Sequence, residues 1–274
     1  MTNSLDIRLN DGHTIPQLGL GTYKMDPAAT AELVAQAIDI GYRHIDTATL
    51  YNNETGVGEG LRRSGIDRDE VFITTKVWQD MQGYDATLRA FDESLERLGL
   101  EEVDLYLIHW PAPALDRYLE TWDALERLHD EGRARSIGVA NFKTHHLERL
   151  IKEADVVPAV NQVELHPAFQ QPELRHFHMQ HGIATEAWAP LRRGDALAKP
   201  LVQELAEKYG RTPAQIVLRW HLEIGNIVIP KSSHPERMRE NLGAAEFALD
   251  ADDLARLVQL DTDTRTGKDP DDFN

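Results

Sequence analysis

The chain has 274 residues, 41% hydrophobic and 27% charged, the make-up of a globular protein with room for one large domain or two small ones. Its net charge of −17 repels nucleic-acid phosphates and anionic membranes, so any anionic ligand needs a local cluster of cations. With no cysteine, disulfides, thiolate catalysis and cysteine-ligated zinc are excluded.

The N-terminus, Met1-Thr2-Asn3-Ser4-Leu5-Asp6, lacks the basic and apolar regions of a signal peptide. No apolar run approaches the ~20 residues of a membrane span. A cytoplasmic protein is expected. Residues 7–15 read as a hairpin turning at Asp11-Gly12. Strand-like runs follow at 17–21, 44–47, 71–76, 103–109, 136–140, 159–163, 183–186 and 227–230. Helical patterns alternate with them at 27–40, 55–63, 85–98, 116–131, 143–153, 171–181, 201–208 with 213–222, and 235–243. Glycines such as Gly41, Gly99 and Gly182 close several of these stretches.

Eight βα units predict an α/β fold, a (β/α)8 TIM barrel. The hairpin is placed to close its bottom. Nothing in the composition divides the chain, so residues 1–274 are expected to form a single domain. The last stretch, 262–274, is polar, Asp-rich and expected to be irregular.

In such a barrel, chemistry sits at the C-terminal strand ends. Strand 2 ends in Asp46 with Tyr51 in the next loop, strand 3 in Lys76, and strand 4 in His109-Trp110-Pro111. These four converge on one mouth. A buried lysine is costly unless paired, and Asp46 on the neighbouring strand is a suitable partner. A nearby ammonium is expected to lower the pKa of Tyr51 from ~10. His109 is placed to orient a carbonyl oxygen or to share its proton. The set suits protonation of a developing alkoxide. Singly, each residue has a bland reading: a turn aspartate, a rim tyrosine, a solvent lysine, a core histidine. Together on adjacent strands they do not.

Two glycine clusters imitate nucleotide-binding loops. Gly19-Leu20-Gly21 lacks a third glycine, and Gly56-Val57-Gly58-Glu59-Gly60 has the wrong spacing. Lys231-Ser232-Ser233 ends strand 8 just before a helix, which with Arg237 makes an anion site.

The chain resembles the aldo-keto reductases nearly end to end. The likeness rests on Leu18-Gly19-Leu20-Gly21-Thr22, on Gly41 to Ala48 and on Tyr51-Asn52-Asn53-Glu54. It continues through Thr75-Lys76-Val77-Trp78, Asp104 to Pro111 and Ile137 to Phe142. Asn161 to Pro167 and Ile229 to Ser233, with Arg237 and Glu240-Asn241, complete it. Within the family it is most similar to bacterial 2,5-diketo-D-gluconate reductase-like members. The resemblance implies an NADPH-dependent carbonyl reductase, turning aldehydes or ketones, including dicarbonyls and keto sugars, into alcohols. It also implies a monomer.

By that resemblance Asp46, Tyr51, Lys76 and His109 form a catalytic tetrad with Tyr51 as the acid. NADPH/NADP+ would be held by Thr22, Asp46, Asn141, Gln162, Trp188, Leu191, Lys231, Ser232, Ser233, Arg237, Glu240 and Asn241. Asn141 and Gln162 would take the carboxamide, Trp188 would stack on the nicotinamide, and Lys231, Ser233 and Arg237 would hold the 2′-phosphate. Tyr23, Trp78, His109 and Trp110 would line the substrate pocket, which a short tail would leave open. Ala140 and Ala189 stand where many relatives carry serine, and with Ala140 one carboxamide hydrogen bond is expected to be missing.

Arg192-Arg193 would either overlie the pyrophosphate or form a merely exposed pair. His145-His146 and the cluster His176, His178 and His181 read as surface histidines, with no metal expected. Glu164 and His166 read as structural. The rivals are a non-catalytic NADPH-binding regulatory or structural protein, and a phosphate-handling barrel isomerase or aldolase using Lys76 as a Schiff-base former; the intact tetrad favours the reductase.

Overall fold

The computed structural model describes residues 5–274. Eight parallel strands form one sheet: β3 (Leu20–Gly21), β4 (His44–Asp46), β5 (Phe72–Val77), β6 (Val103–Ile108), β7 (Ala134–Ala140), β8 (Val160–Glu164), β9 (Ala184–Trp188) and β10 (Ile227–Val228). Each pairs with its neighbour in chain order. Parallel bridges from Leu18 to Val228 and from Gly21 to Lys231 join the two outer strands and close the ring. The hairpin of β1 (Asp6–Arg8) and β2 (Thr14–Pro16) precedes it. Its turn places Gly12 at φ +92°, where glycine meets no steric cost. Leu9 and Ile15 of the hairpin pack against Phe72, Leu105, Leu107, Ala159, Val160 and Ile227, sealing the bottom of the barrel as expected.

Helices α1 (Pro27–Ile40), α2 (Glu54–Ser64), α3 (Tyr84–Leu98), α4 (Tyr118–Asp130), α5 (Thr144–Glu153) and α6 (Pro172–His181) follow successive strands. Helices α7 (Pro200–Tyr209) and α8 (Pro213–Glu223) lie between β9 and β10, and α9 (Pro235–Leu242) follows β10. These agree with the sequence patterns to within two residues. An additional helix, α10 (Ala251–Val258), was not anticipated. Its signal was present: Asp250 caps it by accepting from the Asp253 N–H, and Leu254 and Leu257 supply an apolar spacing. No described helix is long and apolar enough to cross a membrane.

The Gly56-Val57-Gly58-Glu59-Gly60 run has a packing explanation. It lies in α2, and a Cβ on Gly58 would sit 1.9 Å from the Leu98 carbonyl oxygen, while one on Gly60 would sit 2.7 Å from the Ala31 oxygen. The glycines let α2 lie directly on α1 and on the end of α3. Gly58→Ala gains ~1 kcal/mol of helix propensity but forces backbone apart, typically costing ~1–3 kcal/mol. We expect a net loss in urea unfolding; an unchanged midpoint would mean that α2 shifts freely.

Candidate active site

Among the apolar side chains of the barrel lie the buried polar residues His44, Asp46, Lys76, Gln162 and Glu186. Lys76 is 0% exposed and Asp46 is 1% exposed. Lys76 Nζ donates to Asp46 Oδ2 at 2.6 Å and to the Thr47 carbonyl at 2.9 Å. Gln162 Nε2 donates to the same Asp46 oxygen at 2.8 Å. Burial raises the Asp46 pKa, and Lys76 and Gln162 oppose the rise.

The loop after β4 is held on both sides. Thr47 Oγ1 donates to Asn53 Oδ1 at 2.8 Å, and Asn53 Nδ2 donates to the Thr22 carbonyl at 2.9 Å. Thr49 Oγ1 donates to the Lys76 carbonyl at 3.0 Å. Buried Glu54 accepts from Thr75 Oγ1 at 2.5 Å and from Arg97 Nε at 2.6 Å, anchoring the start of α2. Between these anchors Thr49–Tyr51 forms a 3-10 turn that leads Tyr51 over the mouth. Lys76 Nζ lies 5.3 Å from its ring centroid.

The expected fall in the Tyr51 pKa is not what the structure gives. Protein crowding, and then the charge of Asp46, raise it well above the ordinary value of 10.0, although an edge of the side chain stays open to solvent. Burial outweighs the ammonium, whose charge Asp46 offsets in part. At neutral pH Tyr51 is therefore a phenol and a proton donor. His109 meets it edge-on at 5.6 Å. Burial, and then Lys76, hold His109 well below its usual pKa, so its imidazole is neutral.

Aromatic walls rise around this group. Tyr23 lies 5.1 Å from Tyr51, and Trp78 lies 5.1 Å from His109. The tail does not leave the pocket open: Phe273 packs at 4.6 Å against Trp110 and 6.0 Å against Trp78. The tail is clasped along its length. Glu164 accepts from Thr266 N at 2.6 Å, Gly267 N at 2.8 Å and His166 Nε2 at 3.1 Å. Burial opposes its ionisation, but these bonds pull its pKa down to about 2. Further on, Lys143 holds Asp269 at 2.5 Å and Asp271 at 2.7 Å. Sequence reasoning found Glu164 and His166 but missed Phe273.

Asn141 sits at φ +64°, in the left-handed region that asparagine tolerates. Its Nδ2 donates to the His109 carbonyl at 3.0 Å, and Trp188 Nε1 donates to its Oδ1 at 2.8 Å. Thr22 spends its hydroxyl inside the chain, on the Asp46 carbonyl at 2.9 Å. Gln162 Nε2 also donates to Glu186 Oε2 at 2.9 Å, so its Oε1 remains for a further donor.

At the end of β10, Lys231 is exposed and donates to Ser233 Oγ at 2.7 Å. Ser232 is buried, its Oγ accepting from the His234 N–H. Arg237 is exposed in the first turn of α9, a helix whose N-terminus has no side-chain cap. Asn241 is buried, and Glu240 accepts from Thr212 Oγ1 at 2.6 Å. Leu191, Arg192 and Arg193 occupy the irregular turn after β9, where both arginines take positive φ. Two exposed cations beside an uncapped helix start, in a chain of net charge −17, fit a bound phosphate.

His178 is not at the surface, as its cluster suggested. It is 1% exposed, bonded to Asn161 Nδ2 and Thr185 Oγ1, each at 2.9 Å, because it falls on the face of α6 that carries buried Leu174. His145, His146 and Asp271 gather at the tail. Nδ1 of His146 accepts from the Lys143 N–H, so its Nε2 carries hydrogen toward Asp271 at 3.4 Å. That arrangement is a clasp on the tail.

The Aldo/keto reductase family model matches residues 17–262. An aldo-keto reductase of Mycolicibacterium smegmatis is 51% identical over 268 residues, covering 98% of both chains. The methylglyoxal reductase DkgA of Salmonella typhimurium is 48% identical over 275 residues, covering 100% of this chain and 99% of that one. Among solved structures, a mutant of Gox0644 in complex with NADPH matches with a TM-score of 0.95 at 52% identity over 99% of both chains. A Bombyx mori aldo-keto reductase in complex with NADP matches with a TM-score of 0.92 at 35% identity, covering 100% of this chain and 98% of that one. The barrel, its polar mouth and these matches together place the chain in the aldo/keto reductase family.

Proposed function

We propose that this chain is an NADPH-dependent reductase of small aldehydes and ketones, with α-dicarbonyls such as methylglyoxal as the first class to test. The observation that carries the reading is the buried Lys76–Asp46 pair beneath Tyr51 and beside neutral His109. A fold gains little from burying such a pair unless it serves the groups above it. NADPH, when bound, supplies the hydride that adds to the carbonyl carbon.

The chain's own residues do the rest. Tyr51 gives its proton to the carbonyl oxygen as negative charge develops there. His109, a neutral N–H donor, orients that oxygen. Lys76 stabilises the phenolate left behind, and Asp46 keeps Lys76 charged and in place. Trp188 offers a flat wall for the nicotinamide, Gln162 Oε1 an acceptor for its carboxamide, and Lys231, Ser233 and Arg237 a seat for the 2′-phosphate. Tyr23, Trp78, Trp110 and Phe273 enclose the substrate in apolar surface, which favours small carbonyl compounds. The two homologous names that mention methylglyoxal and NADPH agree with this choice.

The test is NADPH oxidation with a panel of aldehydes, α-dicarbonyls, keto esters and keto sugars. Methylglyoxal-dependent oxidation is expected; absence of turnover with every member would refute the reading. For the cofactor, Lys231→Met with Arg237→Ala should weaken NADPH by about tenfold or more and NADH by less than about twofold, since only the former loses charge-assisted bonds. Equal weakening of both in binding titrations would remove the 2′-phosphate assignment.

A further inference from the structure

Joined to the Lys76–Asp46 pair through Gln162 is a second buried carboxyl that the proposed reaction does not use. Glu186, on β9, is 0% exposed. Its Oε2 accepts from Gln162 Nε2, the same nitrogen that donates to Asp46. Its Oε1 has no hydrogen-bond partner. The basic group within ion-pair reach among the described residues is His44, with Nε2 at 3.6 Å from that oxygen.

The histidine tautomer follows from its other side. Nδ1 of His44 faces the Pro16 carbonyl at 3.3 Å, and a carbonyl can only accept, so Nδ1 carries the hydrogen. Nε2 is then a lone pair directed toward Thr74 Oγ1 and Glu186. Burial keeps the ring neutral, holding its pKa down to about 3. Gly19 supports the arrangement, because a Cβ there would lie 2.5 Å from Nδ1. An ionised Glu186 would thus face a lone pair with one carboxylate neighbour and no cation of its own. A protonated Oε1 would face an acceptor.

We propose that Glu186 is a positioning residue of the site: it rests as a neutral acid, its proton on Oε1 toward Nε2 of His44, leaving Asp46 alone as the counter-charge of Lys76. The surroundings agree from every side. β4 contributes His44 and Asp46, β5 Lys76, and β8 the uncharged Gln162. β10 contributes Ile227, paired with Glu186 in register. His178 and His221 meet the strand from outside, on Thr185 and the Pro190 carbonyl. Burial, and then the charge of Asp46, push Glu186 up to about 8. When it ionises, its proton leaves to solvent and a second negative charge acts on Tyr51, which then holds its own proton more tightly. The result is a weaker acid and slower carbonyl reduction above that pH.

The kinetic consequence rests on the reductase reading; the protonation state does not, and is read separately. In infrared spectra of the parent protein at neutral pH, ordinary carboxyls are ionised, so a protonated-carboxyl carbonyl band isolates the exception. We expect that band to vanish in alkali, to be missing in Glu186→Gln, and to persist in Asp46→Asn, where it is lost at higher pH than an ordinary glutamate but lower than in the parent. No band in the parent, or a band that survives Glu186→Gln, would overturn the proposal. In turnover, the ratio of Glu186→Gln kcat to parent kcat should rise about two- to threefold from about pH 7 to about pH 9, because only the parent gains the second negative charge beside Tyr51. A constant ratio would mean that Glu186 only fills space, and would overturn its positioning role. A band without any carbonyl turnover would sink the reductase reading and leave the neutral acid standing.

Discussion

Tyr51→Phe should lower kcat for carbonyl reduction by about 10²–10⁴-fold, the span that a lost general acid typically costs. That corresponds to about 3–5 kcal/mol of transition-state stabilisation. The ring keeps its place, since the loop is fixed by Asn53, Thr49 and Glu54 rather than by the phenol. NADPH affinity should therefore change by less than about twofold. Stopped-flow binding and steady-state turnover separate the two. A variant that turns over at the parent rate would show that water or His109 supplies the proton instead.

Lys76→Met should be the most damaging single change to stability. It leaves Asp46 buried with no counter-ion, and breaking a buried pair on one side costs about 3–5 kcal/mol. For a domain of this size that is about 10 °C in midpoint temperature. The loss has a pH signature. Without Lys76 the folded-state pKa of Asp46 stands above its unfolded value, so stability is full below the unfolded pKa and falls as pH rises through the folded one. The deficit against the parent should be smallest near about pH 4 and grow as pH rises toward neutrality. Adding Asp46→Asn should recover much of the midpoint but none of the activity. A neutral-pH midpoint within about 2 °C of the parent would show that water reaches the pair.

Much of this site is legible in the sequence. Asp46 and Lys76 end adjacent strands, and a parallel register brings neighbouring strand ends together whatever the loops do. Lys231 and Arg237 were legible for the same reason, as the end of a strand and the start of the next helix. What was not legible depends on burial and on distant chain. The Tyr51 pKa turns on how closely protein packs around it, which no spacing encodes. Glu186 reads as one more strand residue, because a strand covered on both faces gives no sign of which polar side chain points inward. Phe273 comes from a segment without periodicity and meets Trp110 from far along the chain. His178 could have been placed: four residues after Leu174, it shares the buried face of its helix.

The clasped tail also decides how the protein can be handled. The Asn274 side chain accepts from the Ala114 N–H at 2.6 Å, one residue beyond the phenylalanine that roofs the pocket. Any sequence appended there would leave from the rim of the mouth and pull on Phe273. The opposite end of the barrel, where the hairpin lies under the ring, is remote from the chemistry. Purification handles, immobilisation points and fusion partners belong on that side.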